Sequence, residues 1–129
     1  MSDRMLTDGS PVPEDGSHKE LRPDGQQRGY IVLTPEERAK GFVQPVRQRY
    51  LHKTCGHTTY MGLSLSETYA RNPWFYSGTF CCDCGKHFDL SEFVWVWDGP
   101  EESLDPLKWS QEKFDMVVAR KKELKEQAP

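Results

Sequence analysis

Residues 51–61 read LHKTCGHTTYM, and residues 80–88 read FCCDCGKHF. Both stretches contain one five-residue pattern, in which a histidine or cysteine is followed by two residues and then by Cys-Gly. The pattern occurs as His52-x-x-Cys55-Gly56, the first knuckle, and as Cys81-x-x-Cys84-Gly85, the second knuckle. Side chains three residues apart in a tight turn direct their ligand atoms to one side, and the glycine allows the positive φ that turns backbone N–H groups toward the sulfur. Each knuckle is therefore predicted to supply half of one metal site.

Four cysteine and histidine ligands in tetrahedral geometry are typical of a structural zinc site. The expected ligands are His52, Cys55, Cys81 and Cys84, and the expected cofactor is a structural zinc ion. Residues 56–80 separate the two pairs of ligands. This separation is slightly longer than the roughly 15–20 residues of the common ribbon spacing. The pattern therefore predicts a zinc-ribbon-like site that joins distant parts of the chain.

The nitrogen ligand has two alternatives. His57 would form the tighter spacing Cys-x-His with Cys55, and His87 lies three residues beyond Cys84. Cys82 is interpreted as a thiol that faces the core or the neighbouring strand. A disulfide among the four cysteines is the remaining alternative, and a reducing compartment disfavours it.

The metal is expected to be structural, and the chain is expected not to be an enzyme. A catalytic zinc keeps one coordination position open, whereas four protein ligands close the shell. The His-Glu-x-x-His pattern of metalloproteases and the deaminase signature are both absent from the sequence. Glu67, Asp83 and Glu92 are interpreted as solvated or capping acids.

Length and composition favour a single small domain. The chain has 129 residues, of which 36% are hydrophobic and 29% charged, so its core is expected to be small. The net charge of −3 does not indicate a basic nucleic-acid-binding domain. No apolar run approaches the roughly 18 residues of a membrane span, and the N-terminus has no apolar signal-peptide core. We expect an intracellular protein that is neither secreted nor in a membrane.

Composition divides the chain into three regions. Residues 1–29 are rich in Asp, Glu, Gly, Pro, Ser and Gln and are predicted to form an extended polar tail. Residues 30–98 form the expected zinc-ribbon-like domain, and residues 99–129 a linker and a C-terminal amphipathic helix. The predicted fold class is α+β, a small zinc-ribbon-like domain with few antiparallel strands, an extended N-terminal tail and an appended C-terminal helix.

Local signals predict short helices and strands in these regions. Thr34-Pro35 begins a short helix that Gly41 ends, and a second helix over residues 63–71 is closed by Asn72-Pro73. The expected strands cover residues 29–33, 42–51, 74–80 and 88–97, the second at a sheet edge because it contains Pro45. In the last helix, residues 107–127, one apolar stripe comprises Leu107, Phe114, Val117, Val118 and Leu124, with Trp109 and Met116 roughly opposite.

A basic segment precedes and overlaps the first knuckle. No acid occurs between residues 38 and 65, and the basic residues there are Arg38, Lys40, Arg47, Arg49 and Lys53. They are candidates for contacts with phosphate or with an acidic partner, or they are a solvated strand edge that discourages aggregation. The aromatic alternation Phe93, Trp95 and Trp97 is interpreted mainly as core, with base stacking as the alternative.

Three runs of the sequence carry a family resemblance. They are RGYIVLTPEERAKGF at residues 28–42, PVR at residues 45–47 and ETYARNPWFYSGTFCCDCGKHF at residues 67–88. Here the chain resembles a family of small, uncharacterised zinc-ribbon-like proteins encoded by tailed phages and prophages, over about Arg28 to Trp97. The resemblance implies a first knuckle written His-x-x-Cys-Gly, which supports His52, and it implies a phage setting without an established activity.

The expected function is a non-enzymatic, zinc-stabilised structural or adaptor protein of a large multi-subunit assembly. Its most concrete form is a head accessory or decoration protein of a phage virion, located in the virion or the host cytoplasm. The polar tail would then lie along the protein partner and become ordered on binding. The alternative is a nucleic-acid-binding zinc-ribbon accessory protein that uses the basic segment.

Overall fold

The computed structural model describes residues 3–127, which form a small mixed α+β domain with antiparallel sheets. The strands are β1 (Arg4–Leu6), β2 (Ile31–Leu33), β3 (Arg49–His52), β4 (Thr58–Tyr60), β5 (Gly78–Cys81), β6 (Lys86–Asp89) and β7 (Phe93–Trp95). The α-helices are α1 (Pro35–Arg38), α2 (Leu63–Arg71) and α3 (Gln111–Gln127), and short 3₁₀ turns cover Ser17–Lys19, Leu90–Glu92 and Pro106–Lys108. Within residues 3–127, no helix has the length and apolar character needed to cross a bilayer.

The strands form three small antiparallel sheets, in the orders β1-β2, β4-β3-β7 and β5-β6. In the middle sheet Tyr50 of β3 lies opposite both Thr59 of β4 and Trp95 of β7. The expectation that this segment lies at a sheet edge is therefore wrong. Pro45 lies before the strand and so leaves both of its hydrogen-bonded edges free to pair.

The N-terminal segment, residues 3–29, lies against the domain, so the expectation of an extended tail needs correction. Met5 of β1 pairs with Val32 of β2, and the Thr34 amide donates to the Asp3 carbonyl at 2.9 Å. Leu6 is buried by this pairing. The composition of residues 1–29 did not predict this pairing. The backbone partner, β2, lies outside the segment, and the buried contact comes from a single leucine.

The predicted strand over residues 88–97 is divided in two. The Asp89 carboxylate accepts a hydrogen bond from the Ser91 amide at 2.9 Å and caps the 3₁₀ turn at Leu90–Glu92. The chain leaves β6 at this turn and enters β7 in a different sheet. Phe93 and Trp95 enter the core as expected, whereas Trp97 lies beyond the end of the strand and is partly exposed.

The core consists of two clusters. The main cluster contains Tyr50, Met61, Tyr69, Cys81, Leu90, Phe93, Trp95 and Leu104, with Cys55, Cys84 and Phe88 packed against it. The second cluster joins Val43 to Val117 and Leu124 of α3, with Trp74 and Trp109 against it. The two knuckles therefore lie at the main core.

The C-terminal helix begins later than predicted. A 3₁₀ turn capped by Asp105 replaces its first residues, and α3 starts at Gln111. Of the predicted apolar stripe, Val117 and Leu124 are buried, whereas Leu107 and Val118 are exposed. The stripe prediction was wrong for Leu107 because that residue lies in the turn rather than in the helix.

Candidate metal centre

The structure brings His52, Cys55, Cys81 and Cys84 together, with one ligand atom from each within 4.8 Å of all the others. The sulfurs of Cys55 and Cys81 are 3.6 Å apart, and the Cys84 sulfur is 3.6 Å from His52 Nδ1. A tetrahedral ion with bonds of about 2.3 Å to sulfur and about 2.0 Å to nitrogen requires S···S near ~3.8 Å and S···N near ~3.5 Å. The donor set and its spacing therefore fit a tetrahedral ion of the size of zinc.

The two knuckles have the same backbone geometry. The Gly56 amide donates to the His52 carbonyl, and the Gly85 amide donates to the Cys81 carbonyl, each at 2.8 Å. Gly56 has φ 75° and Gly85 has φ 67°, in the left-handed region that favours glycine. The repeated Cys-Gly pair in the sequence thus reflects a repeated turn that closes each half of the ligand set.

The ligands lie at the ends of two hairpins. His52 ends β3 in the β3–β4 hairpin, and Cys81 ends β5 in the β5–β6 hairpin. The hairpins also touch directly, since the Cys82 amide donates to the Thr59 hydroxyl at 3.0 Å. An ion held by all four ligands would join two hairpins that belong to different sheets.

Two phenyl rings and a carboxylate hold the His52 side chain. Its ring is only 1% exposed and stacks against Phe88 and Phe93, with centroid distances of 4.4 and 4.8 Å. Its Nε2 lies 2.9 Å from Glu92 Oε1. When Nε2–H donates to this carboxylate, Nδ1 carries the free lone pair, and it is Nδ1 that faces the Cys84 sulfur.

Glu92 is the functional residue that sequence reasoning missed, since we expected it to be a solvated or capping acid. It follows His52 by 40 positions, and the capped 3₁₀ turn before β7 brings it to the ring. A carboxylate on the outer nitrogen of a ligating histidine is a common feature of zinc sites. Acids near a knuckle in sequence are too frequent to identify this role. The contact of Glu92 with His52 depends on the register of β3 against β7, which the sequence does not show.

The thiols of the cluster differ in proton affinity when no metal is bound. Burial raises the pKa of Cys81, but hydrogen bonds from the Cys84 backbone, the Cys55 side chain and the Asp83 backbone outweigh it and lower the pKa to about 7. Burial and the sharing of hydrogen bonds with Cys81 and Cys55 raise the pKa of Cys84. Metal binding would therefore displace protons from the cluster.

The alternative nitrogen ligands lie elsewhere. His57 is exposed, with Nδ1 3.0 Å from the Cys55 carbonyl and 3.2 Å from the Asp83 carboxylate. It belongs to a group of only three ligands, Cys55, His57 and Asp83. His87 Nε2 contacts the Tyr30 hydroxyl at 2.8 Å.

The Cys82 thiol is exposed and points away from the cluster. Its sulfur lies 3.4 Å from the Thr58 carbonyl, across to the neighbouring hairpin. The geometry therefore completes the four-ligand set with His52 and leaves Cys82 outside it.

Most of the basic candidates have acidic partners within the chain. Arg38 contacts Glu67 at 2.6 Å and also donates to the Leu33 carbonyl at 3.0 Å. The other exposed or half-buried pairs are Lys40 with Glu37 at 2.8 Å and Lys53 with Glu101 at 4.0 Å. Arg49 is exposed and has no ion pair with any acid among residues 3–127.

Arg47 is the buried member of this basic set. Its guanidinium lies over the rings of Trp95 and Trp97, at 4.8 and 4.6 Å from their centroids, and pairs with buried Glu102. Glu102 also pairs with Lys113 of α3. Arg47 therefore connects β7 with the segment that leads to α3, and a phosphate outside the domain does not reach it.

No protein-family model, no curated protein and no solved structure matches the chain. The function is therefore inferred from the geometry of the metal centre and from the surfaces around it.

Proposed function

We propose that the chain is a non-enzymatic, zinc-stabilised structural or adaptor protein of a larger assembly. The observation that carries this proposal is the four-ligand cluster of His52, Cys55, Cys81 and Cys84. Four protein ligands fill a tetrahedral shell and leave no position for a reacting water or substrate. Such a site stabilises a fold and does not act on a substrate.

Zinc is the metal that best suits these donors. Thiolate and imidazole ligands in tetrahedral geometry favour zinc over magnesium and calcium, which prefer oxygen ligands. The 3.6 Å separations between ligand atoms match the edges of a zinc-centred tetrahedron. The Glu92 carboxylate on His52 adds the outer support that such sites commonly have.

The proposed role of the ion is to hold the domain together. The strands are only three or four residues long, and no sheet has more than three strands among residues 3–127. Short strands and a small core bury little surface, so the free energy of metal binding contributes directly to folding.

A surface of α3 supports the adaptor role better than the N-terminal segment does. Residues 3–29 lie on the domain, which weakens the version of the hypothesis that uses them as a partner-bound tail. On α3, Met116 is 63% exposed and Val118 is also exposed. The two residues are two positions apart, so they lie on nearly opposite sides of the helix and do not form one patch. We place the assembly contact on the side of α3 that carries the more exposed Met116.

The concrete form of the proposal is an accessory or decoration protein of a phage head, present in the virion or the host cytoplasm. The resemblance of residues 28–97 to phage-encoded zinc-ribbon-like proteins implies only the phage setting, and the place in the virion is our inference from that setting. We rank the nucleic-acid-binding alternative lower because four of its five candidate cations, Arg38, Lys40, Arg47 and Lys53, pair with acids of the same chain.

The metal part of the proposal is tested by elemental analysis and native mass spectrometry of the purified full chain. We expect one zinc ion per chain, and a cobalt-substituted sample should show tetrahedral thiolate-to-cobalt absorption. Replacement of Cys84 by Ser should abolish stoichiometric binding, whereas Cys82→Ser should retain it. A metal-free chain that unfolds cooperatively at the same temperature with and without added zinc would refute the proposal.

The assembly part is tested by mass spectrometry of purified virions from a phage that carries the gene. We expect the chain in stoichiometric amounts, and we expect Met116→Gln to reduce its incorporation. Lys122→Gln is the matched control, since it introduces the same residue at another exposed position of α3. Absence of the chain from virions, or equal incorporation of both variants, would contradict this part of the proposal.

A further inference from the structure

We propose that a cavity between the N-terminal segment and the β5–β6 hairpin binds the phosphate group of a small phosphomonoester. The cavity has a volume of about 400 Å³, and its lining includes Arg4, His18, Lys19 and His87. The cavity lies outside the four-ligand cluster, and the proposed phosphate binding is independent of the assembly contact on α3.

The charge of the lining points to an anionic ligand. Four of its residues carry basic side chains, and none carries a carboxylate. This is unusual in a chain whose net charge is −3. Two acids lie close to the lining residues without lining the cavity. Asp3 lies 3.9 Å from the Arg4 guanidinium, and Asp15 interacts electrostatically with His18 while its carboxylate accepts from the Ser17 amide at 3.0 Å. A cavity with several donors and no acid favours an anion over a neutral or cationic ligand.

His18 provides the independent observation. Its side chain is more than nine-tenths buried, with 6% exposed, and neither ring nitrogen has a hydrogen-bond partner among the described residues. Every protonation state of imidazole has at least one N–H donor. A buried donor without an acceptor is unfavourable. Both nitrogens are closed off from solvent, and a rotation of the ring toward the cavity would bring one of them to a phosphate oxygen.

His87 supplies a second donor, at Nδ1, when its Nε2 accepts from the Tyr30 hydroxyl. The Tyr30 hydroxyl accepts from the Gln27 amide at 3.2 Å and lies 2.8 Å from His87 Nε2. Burial lowers the pKa of His87, which favours the neutral ring. With the Tyr30 O–H directed at Nε2, the ring proton resides on Nδ1, so this nitrogen is a donor.

The other residues that line the cavity indicate what is attached to the phosphate group. The Arg4 guanidinium lies 4.8 Å from the centroid of the Phe75 ring, which itself lines the cavity beside Tyr76. A phosphate group with its three oxygens matches several donors better than a carboxylate with two. The volume exceeds that of a phosphate ion, so the aromatic wall has room for a small organic group attached to the phosphate.

The test is an NMR titration of the zinc-loaded, ¹⁵N-labelled full chain with inorganic phosphate, phenyl phosphate and acetate. We expect saturable shifts at the imidazole signals of His18 and His87 with both phosphates, tighter binding of phenyl phosphate, and no saturable binding of acetate. We expect His18→Leu and Lys19→Gln each to weaken phenyl phosphate binding about tenfold. Arg49→Gln is the control, because it removes an exposed cation that does not line the cavity.

Three results would overturn the proposal. They are the absence of saturable shifts with either phosphate, equal affinity for acetate, and unchanged affinity in a folded Lys19→Gln variant, which keeps the inference testable if His18→Leu fails to fold. None of them bears on zinc binding, which is measured on the same samples by native mass spectrometry.

Discussion

His52 is the residue on which the metal centre depends most closely. One side chain ligates through Nδ1, binds Glu92 through Nε2 and stacks against two phenyl rings. These contacts fix the position and the tautomer of the ring before any ion arrives. The sequence pattern identified the ligand, but it contained no signal for the contacts that orient it, because Phe88, Glu92 and Phe93 reach the ring only through tertiary pairing.

At the residue scale, we expect Glu92→Gln to weaken zinc binding by about 10- to 100-fold without changing the stoichiometry. The amide still accepts from Nε2–H but no longer carries the charge that makes the ligand more basic. The measurement is competition against a chromogenic chelator. Glu101→Gln, which removes an exposed acid 4.0 Å from Lys53, is the control and should leave the affinity unchanged.

A second prediction separates the two histidines of the first knuckle. His52→Ala should abolish tight zinc binding, because it removes a ligand and leaves a buried cavity beside Phe88 and Phe93. His57→Ala should retain one zinc per chain, because its ring is exposed and pairs only with the Asp83 carboxylate and the Cys55 carbonyl. Native mass spectrometry measures the zinc content of both variants. Loss of zinc from His57→Ala with retention in His52→Ala would make His57 the ligand.

The knuckle glycines carry a third prediction. Gly56→Ala should destabilise the zinc-loaded protein by about 1–2 kcal/mol, because an alanine at φ 75° is strained although nothing lies within 4 Å of its added carbon. Gly62→Ala, at an ordinary φ and also in open space, should change the free energy of unfolding by less than about 0.5 kcal/mol. Urea unfolding of both variants provides the comparison, and equal stabilities would show that the turn does not require glycine.

At the scale of elements, the sequence predicted features that depend on a few neighbouring residues, and it did not predict the pairing of strands that are distant in sequence. Helix α2 has the predicted bounds, Leu63–Arg71, because Asn72-Pro73 is a local stop signal. Thr34 accepts from the Glu37 amide at 3.4 Å, as its capping role requires. The pairing of β1 with β2, by contrast, joins residues about 27 positions apart, and no local pattern in a polar segment indicates it.

The pairing of the N-terminal segment is tested with two leucines. Leu6→Ala should destabilise the protein by about 2–3 kcal/mol, since only 8% of Leu6 is exposed where β1 covers β2. Leu21→Ala, at a leucine of the same segment that is 65% exposed, should cost less than about 0.5 kcal/mol. Thermal or urea unfolding measures both changes. If neither substitution changed the free energy of unfolding, the interpretation of this segment as an extended tail would be supported instead.

At the scale of the whole molecule, the metal centre and the core are one structure. Cys81 belongs to the main apolar cluster, and Cys55 and Cys84 pack against it. The ligands were predictable from their spacing, whereas their place within the core was not, because it depends on two sheets meeting at the knuckles. Loss of the ion therefore affects the packing of the domain and not only two loops.

We expect chelation at neutral pH to remove the cooperative thermal transition of the domain. Without the ion, the β3–β4 and β5–β6 hairpins remain in contact only through packing and bonds such as Cys82 to Thr59. Calorimetry and near-ultraviolet circular dichroism measure the change, and re-addition of zinc should restore the signal. A chelated sample with an unchanged transition would show that the core suffices alone.

The central position of β3 has a consequence for how the chain is made. During synthesis β3 emerges from the ribosome before every strand that flanks it, and its later neighbour β7 follows by some forty residues. The ligand pair of the second knuckle emerges within that same interval. We therefore expect nascent β3 to pair with β4 alone, and its imidazole to lack Glu92 and Phe93, until residue 95 has also left the ribosome.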